Sequence, residues 1–500
     1  MDVAPGLPGF TIVGLADTAL QEARERIRGA IRNAGYVHPP RRITVNLAPA
    51  DLRKAGSSLD LAMAMGILLG SEQVRPGTER IALIGELSLG GEIRSVPGIL
   101  QMAAALARRG IRRLVVASEG AAEARLVTGL EVDAVDTLGE AAGCIAGPRR
   151  RRSRTQPLRV GLGSATGEPL EGPARPAGEG KGPDLADVRG QAEARRGLEI
   201  ALAGEHGLLL IGPPGSGKTL LARTVPSLLP PLDDAAAMAV SIVASAAGEG
   251  PLAELRRHPP FRAPHHTISY AGMVGGGPRL SPGEVSLADH GVLFLDELPE
   301  FDRDVLESLR QPLEDGHVAI ARAGRTMTFP ARFQLLAAMN PCPCGFAGAQ
   351  EPPCTCPSSV PDRYQKRISG PLRDRIDLAI TMPRVAPAAL VAPDGSEGSA
   401  VVAARIERAR AVAWARQGGS NGRLRGQTLR SVVGLTTATR RHVQALAELE
   451  RASGRGVERL LRVARTIADL AETEPVTIEH LDEAAWFRSP ESRAMTARAV

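Results

Sequence analysis

One stretch constrains this chain more than any other: Leu208–Thr219, LLLIGPPGSGKT. Leu208 to Ile211 read as a short buried strand. It runs into Gly212, Pro213, Pro214, Gly215, Ser216, Gly217, Lys218 and Thr219, and an apolar helix start follows at Leu220. This is the G-x-x-x-x-G-K-[ST] phosphate loop in its required strand–loop–helix setting. Its glycines let successive backbone N–H groups face a phosphate, and the helix adds its positive dipole end. Lys218 is placed to reach the β- and γ-phosphates, and Thr219 to hold Mg²⁺. A glycine-rich turn is the plainer alternative, and the full match in context argues against it.

Two further apolar strands end in polar residues suited to the same chemistry. Val292–Leu295 runs into Asp296 and Glu297. Asp296 fits the acid that holds Mg²⁺ in a nucleotide hydrolase, and Glu297 the residue that polarises the attacking water. Paired acids after a strand also serve as an ordinary helix cap. Phe333–Met339 ends at Asn340, an amide suited to a place beside a γ-phosphate.

A chain of 500 residues suggests about three domains, and 43% hydrophobic residues support real cores. The net charge of +6 traces to Arg149, Arg150, Arg151, Arg152, Arg154 and Arg159; the other 55 basic residues balance 55 acidic ones. A basic pI of this origin is weak evidence for nucleic acid. The start MDVAPGLPGF has neither a basic n-region nor an apolar h-region. The longest apolar run, Leu61–Leu69, is too short to span a bilayer. Five cysteines, four of them clustered, do not resemble a secreted disulfide framework. The expectation is a soluble cytoplasmic protein without a membrane partner.

Four segments follow from pattern. Residues 1–148 alternate helix and strand signals: helices at Thr18–Ala34, Ser58–Leu69 and Leu100–Arg109, strands at Arg42–Leu47 and Leu114–Val116, and a hairpin from Ile81–Leu89 to Glu92–Arg94. Residues 149–183 are rich in Arg, Gly and Pro and read as a tether, or as a segment touching phosphate backbones. Residues 184–384 hold the nucleotide core. Between Thr219 and Val292 lies more chain than one helix needs, including Phe261–Ser269 with His265 and His266, and the run Gly272–Gly277. The two histidines read as loop-positioning residues, with metal ligation as the alternative. Val318–Ile320 and Thr326–Phe329 flank a turn carrying Arg322 and Arg325, a hairpin that is either a solvated turn or a basic contact. Residues 397–495 show helical periodicity at Val401–Arg416, Thr437–Glu450, Val457–Ala471 and Ile478–Trp486, with start signals at Ser453 and Thr477.

Cys342, Cys344, Cys354 and Cys356 form a C-x-C-x₉-C-x-C pattern. Four thiolates suit a closed tetrahedral zinc site, although the usual knuckle is C-x₂-C. Free thiols in a proline-rich loop, or a redox-sensitive pair, are the other readings.

Taken together these residues resemble the magnesium-chelatase-like AAA+ ATPases, and within them the YifB/ComM group. The resemblance is carried by GLPGFTIVGLADTALQEARERIRGAI, RRITVNLAPADLRKAG, GPPGSGKT, FRAPHHTIS, GEVSLADHGVLFLDELPEF, LRQPLEDG, AAMNPCPCG, RISGPLRDRIDL and LLRVARTIADL. It implies an α/β multidomain fold: a Lon-protease-like (ribosomal S5 domain 2-like) N-terminal domain, a AAA+ core and a C-terminal helical lid. Relatives carry further residues ahead of Gly6 that resemble a first strand. ATP with Mg²⁺, a homo-hexameric ring, and single-stranded or branched DNA as partner are also implied. So is branch migration during natural transformation. Carried over by position, Asn340 matches sensor 1, Arg375 the arginine finger that reaches a neighbour's nucleotide, and Arg455 the sensor-2 arginine. Where relatives read Leu-Leu-Asp-Arg this chain has Leu372-Arg373-Asp374-Arg375, so Arg373 is an alternative finger.

Two rival functions are a metal-chelatase subunit and an ATP-dependent protease. The fused N-terminal domain and the cysteine insertion argue against the first. A Lon-type protease needs a lysine to activate its serine. Ser58 falls near the nucleophile position, but no lysine lies around Val96–Gln101, and the domain's only lysine is Lys54. Arginine cannot replace it, because it does not give up its proton. The expectation is a protease fold without proteolysis.

Overall fold

The computed structural model describes residues 1–14, 18–47, 56–146, 182–277, 280–322, 325–348, 352–391, 396–449 and 451–488. The proposed tether at 149–183 falls almost wholly outside them, and so does Lys54. Two compact units form, Met1–Arg175 with Ser241–Leu255, and Pro176–Val240 with Arg256–Val500.

Among its described residues the first unit contains two three-stranded sheets and one two-stranded pairing. In one, Arg42–Asn46 lies between Asp2–Ala4, antiparallel to it, and Gly9–Val13, parallel to it. In the other, Arg113–Ala117 lies between Ile81–Ile84 and Glu131–Val135, all parallel. The expected hairpin from Ile81 to Arg94 is therefore corrected. Only Glu86–Leu87 pairs with Ile93–Arg94, while Ile81–Ile84 turns away to a parallel partner. Helices Thr18–Asn33 and Asp60–Gly70 bury Ile27, Ile31, Leu61, Met65 and Leu68 in one core. Asp60 is fully buried there. Desolvation raises its pKa, opposed by Arg26, whose Nε donates to Asp60 Oδ2 at 2.8 Å. Ser241–Leu255 belongs to this unit: the Glu123 carboxylate accepts the N–H groups of Leu100 and Leu252 at 3.2 and 3.4 Å.

The second unit is built on a five-stranded, all-parallel sheet. Its spatial order is Phe261–Arg262, Val292–Leu295, Gln334–Met339, Leu208–Ile211, Leu378–Thr381. The strand that is first in sequence thus sits between the fourth and the fifth. All six side chains of Gln334–Met339 and all four of Val292–Leu295 are buried. The apolar runs 335–339 and Val292–Leu295 mark strands covered on both faces. The strand order reverses around Leu208–Ile211, and ligands bind beyond the carboxyl ends of strands at such a switch point. Mixed α/β architecture with a parallel sheet of this kind is that of a P-loop, AAA+-like core.

The hairpin after the acid strand is longer than its sequence suggested. His317–Arg322 pairs with Arg325–Pro330 in antiparallel register, Arg322 opposite Arg325. Beyond the sheet come helices Ser399–Gln417, Gly426–Val433, Thr437–Leu449, Gly454–Leu470 and Ile478–Trp486. Ser453 and Thr477 cap the last two, as their positions suggested. These helices do not build a core of their own. Val402, Ile406, Leu460, Val463 and Ile467 share one apolar cluster with Leu198, Leu208, Leu378 and Ile380 of the sheet layer.

Candidate nucleotide site

Gly215 and Gly217 adopt φ of +77° and +93°, a region glycine enters without steric cost, so the loop's curvature depends on them. Lys218 opens the following helix and is 8% exposed. Its Nζ donates to the loop's own carbonyls, Gly212 O at 2.7 Å and Pro213 O at 3.0 Å, and to Asn340 Oδ1 at 3.2 Å. Burial lowers its pKa, while Asp296 and Glu297 act in the opposite direction. Ser216 Oγ is buried without a hydrogen-bond partner. A buried polar atom costs free energy unless something satisfies it, so a polar ligand fits here. Gln191 braces the loop from outside, its Nε2 donating to Ser216 O and Pro383 O at 3.1 and 2.8 Å.

The acid strand delivers its carboxylates to the same place. Thr219 Oγ1 donates to Asp296 Oδ2 at 2.6 Å, which brings together two oxygen ligands of the kind Mg²⁺ prefers. Glu297 is held at φ +53°, an uncommon conformation for a residue other than glycine, with its N–H on Asp296 Oδ1 at 2.9 Å. His266 Nδ1 lies 3.4 Å from Glu297 Oε2, and the His265 ring packs on His266 with centroids 4.1 Å apart. That contact fits the loop-positioning reading of the two histidines. The spacing of the sequence could not reveal it, because strand pairing alone brings the two segments together. A cavity of about 970 Å³ runs beside Gly215, Ser216 and Gly217, with Val188, Gln191, Pro352 and Arg384 among its walls. Gly212 to Thr219, Asp296, Glu297 and Asn340 are therefore gathered at one end of the sheet.

Arg375 and Arg455 are not brought there. Gly207, at the amino end of the phosphate-loop strand, touches the Arg375 carbonyl so closely that a Cβ would be 2.5 Å from it. The strand between Gly207 and the loop spans roughly 13 Å. At this far end Arg375, Arg425, Arg455, Arg459 and Arg462 line a cavity of about 320 Å³ with Glu314, Asp374 and Glu458. Arg375 pairs with Glu314. Desolvation, then Arg425 and Arg455, draw its pKa down. Arginine keeps its proton, so the crowding is expressed as attraction for an anion. Arg455 is 68% exposed and stands 3.9 Å from Asp374. Arg373 points elsewhere, donating to Gln365 O at 2.8 Å, and does not line this cavity. Arg425, Arg459 and Arg462 were not singled out from sequence, where nothing distinguishes them from other arginines of an arginine-rich chain.

The four cysteine sulfurs lie within 4.8 Å of one another, the one cluster of three or more His, Cys, Asp or Glu side chains among the described residues placed to hold a metal ion. Cys342 Sγ is 3.3 Å from Cys344 Sγ and 3.7 Å from Cys354 Sγ, and the last two are 3.5 Å apart. Ala347 N–H donates to Cys342 Sγ at 3.2 Å. N–H groups of Phe346 and Thr355 lower the Cys344 thiol to about 5.

Comparison with known proteins agrees with this picture. The family described as magnesium chelatase, subunit ChlI, matches residues 184–390. Its C-terminal portion matches residues 396–488, and the family described as subunit ChlI of Mg-chelatase matches residues 1–120. The YifB protein of Salmonella typhimurium is 40% identical over 490 residues, 97% of this chain and 93% of its own. The competence protein ComM of Haemophilus influenzae is 39% identical over 491 residues, 97% of this chain and 92% of its own. A partial match, 29% identical over 143 residues, is to the DNA replication licensing factor mcm5 of Dictyostelium discoideum. With a phosphate loop, paired acids and a polar strand end gathered on a parallel sheet, the chain belongs to the YifB/ComM group of magnesium-chelatase-like AAA+ ATPases.

Proposed function

We propose that this chain is an ATP-hydrolysing motor that assembles as a homo-hexameric ring and acts on single-stranded or branched DNA. Its proposed task is branch migration of the ComM type during natural transformation or recombination, in the cytoplasm. The observation that carries the reading is the division of the chemistry between the two ends of the sheet's strands. Phosphate loop and acids occupy the carboxyl end, and an arginine cluster suited to anions lies toward the amino end. A head-to-tail interface repeated by rotation closes into a ring and brings unlike faces together. Arg375 and Arg455 of one copy then reach the nucleotide of the next.

In that site the loop N–H groups and Lys218 bind phosphate oxygens, and Asn340 holds Lys218 in place. Thr219 and Asp296 hold Mg²⁺, which supplies charge neutralisation for phosphoryl transfer. Glu297 polarises the attacking water, and His266 fixes its carboxylate. Arg375 stabilises charge on the transferred group with a planar donor fork. The first 148 residues serve as a Lon-like, non-proteolytic module, and the C-terminal helices take the place of a lid. Among the described residues those helices contribute nothing to the large cavity beside the loop. The four cysteines hold zinc. Relatives named for competence and for DNA replication support DNA as the partner.

The test is the ATPase rate with no DNA, single strands, duplex and a four-way junction, for the unmodified protein and for Arg322→Ala with Arg325→Ala. The hairpin carrying those residues has its ladder end at the Arg322–Arg325 pair. Such arginines grip phosphates without reading sequence. DNA should stimulate the unmodified protein, most strongly when branched. The double variant should lose that stimulation and its salt dependence while basal hydrolysis survives. An ATPase indifferent to every DNA would instead favour a chelatase-type subunit remodelling a protein partner, which the family's name supports.

A further inference from the structure

The cysteine loop is joined to the nucleotide site at three points. It begins two residues after Asn340, whose Oδ1 accepts from Lys218 Nζ at 3.2 Å. Gly345, at φ +86°, presses its backbone on the phosphate loop, where a Cβ would meet Pro214 Cδ at 2.5 Å. Phe346 faces the Arg384 guanidinium at 5.8 Å, and Arg384 and Pro352 both wall the cavity beside Gly215–Gly217. Yet from Pro341 to Ser358 the described backbone forms neither helix nor strand. A wall needs something to fix it.

The sulfurs supply that. Tetrahedral zinc with bonds near 2.3 Å has sulfur–sulfur edges of about 3.8 Å. Three of the separations here, 3.3, 3.5 and 3.7 Å, are close to that value. Cys342 is fully buried and receives an N–H from Ala347, the kind of outer contact that orients a metal-bound thiolate. One ion would tie the residues just after Asn340 to the segment that carries Pro352.

We propose that zinc held by Cys342, Cys344, Cys354 and Cys356 is a positioning device for ATP. The metal fixes the loop as a wall of the nucleotide cavity and as a buttress behind Pro214 and Asn340. Nucleotide affinity therefore depends on metal occupancy, although no cysteine touches the nucleotide. The inference rests on the zinc and ATP readings above and adds the coupling between them.

Zinc content and ATP dissociation constant are measured on the same samples. The unmodified protein should carry about one zinc per chain. Stripping it with a chelator should weaken ATP binding about tenfold or more, and adding Zn²⁺ back should restore it. Cys354→Ser with Cys356→Ser should lose metal and affinity together. Restoration of ATP affinity when Zn²⁺ is returned to the stripped protein separates the coupling from misfolding, which a metal ion alone would not reverse in this way. Absence of zinc from the unmodified protein would overturn the metal reading and this inference with it. Zinc present, with ATP affinity unchanged by its removal, would overturn the coupling alone. Absence of ATP binding by the zinc-loaded protein would overturn the nucleotide reading.

Discussion

Lys218 and Glu297 stand at the same end of the sheet but answer for different steps. Lys218 is buried against carbonyls that an anion would replace. Lys218→Ala should therefore abolish ATP binding, and hydrolysis with it. Glu297 is half-exposed and touches His266 rather than the loop. Glu297→Gln should keep ATP affinity within about twofold while stopping turnover, because it removes a base and not a phosphate donor. Equilibrium binding of a labelled ATP analogue, beside the steady-state rate, separates the two. Normal turnover by Glu297→Gln would remove its assigned role. These residues were legible in the sequence because the motif is contiguous and its spacing is the mechanism. His266 and Arg425 were not legible in their roles. Each acquires one only by approaching a residue tens of positions away, Glu297 in one case and Arg375 in the other.

Among elements, the helix Gly454–Leu470 is fastened to the sheet by a buried polar joint. His206, on the turn before the phosphate-loop strand, meets Asp377 Oδ2 through Nδ1 at 3.0 Å and Thr466 Oγ1 through Nε2 at 2.8 Å. Arg462 Nη2 donates to Asp377 Oδ1 at 2.9 Å. Burial alone would raise the Asp377 pKa, but His206 and Arg462 outweigh it and hold it below its ordinary value of 3.8. A carboxylate with a depressed folded pKa stabilises fully above its unfolded pKa, and that stability is lost as pH falls through the folded value. The joint should therefore persist from pH 7 down past pH 5 and fail only below the usual aspartate range. Asp377→Ala should cost about 3–5 kcal/mol in denaturant unfolding, since it strands Arg462 in the interior. A loss no larger than that of an exposed aspartate would contradict this. Here the sequence was partly legible. Helical periodicity located four of the C-terminal helices to within a few residues. Gly426–Val433 escaped because it opens on glycine and is short. Ile81–Ile84 was assigned the wrong partner because an apolar run does not say whether its neighbour is parallel or antiparallel.

At the scale of the molecule, the phosphate loop and Arg375, the two halves of the proposed ATPase site, stand apart within one chain. The phosphate loop and Arg375 lie at opposite ends of a strand, Leu208–Ile211, whose pairing on both sides fixes the distance between them. Residue spacing does not reveal that separation, since Arg375 lies just before the final strand of the core; only the family resemblance implied a finger that reaches a neighbouring copy. Mixing two inactive variants tests the account directly. Lys218→Ala lacks the phosphate donor, and Arg375→Ala lacks the finger, which should reduce turnover on the order of 10³-fold while leaving ATP binding intact. In randomly mixed rings of equal parts, about a quarter of the interfaces join an intact loop to an intact finger, so the mixture should regain about a quarter of normal activity. Mixtures that stay as inactive as their components at every ratio, or an Arg375→Ala protein with full activity alone, would contradict a site completed between copies.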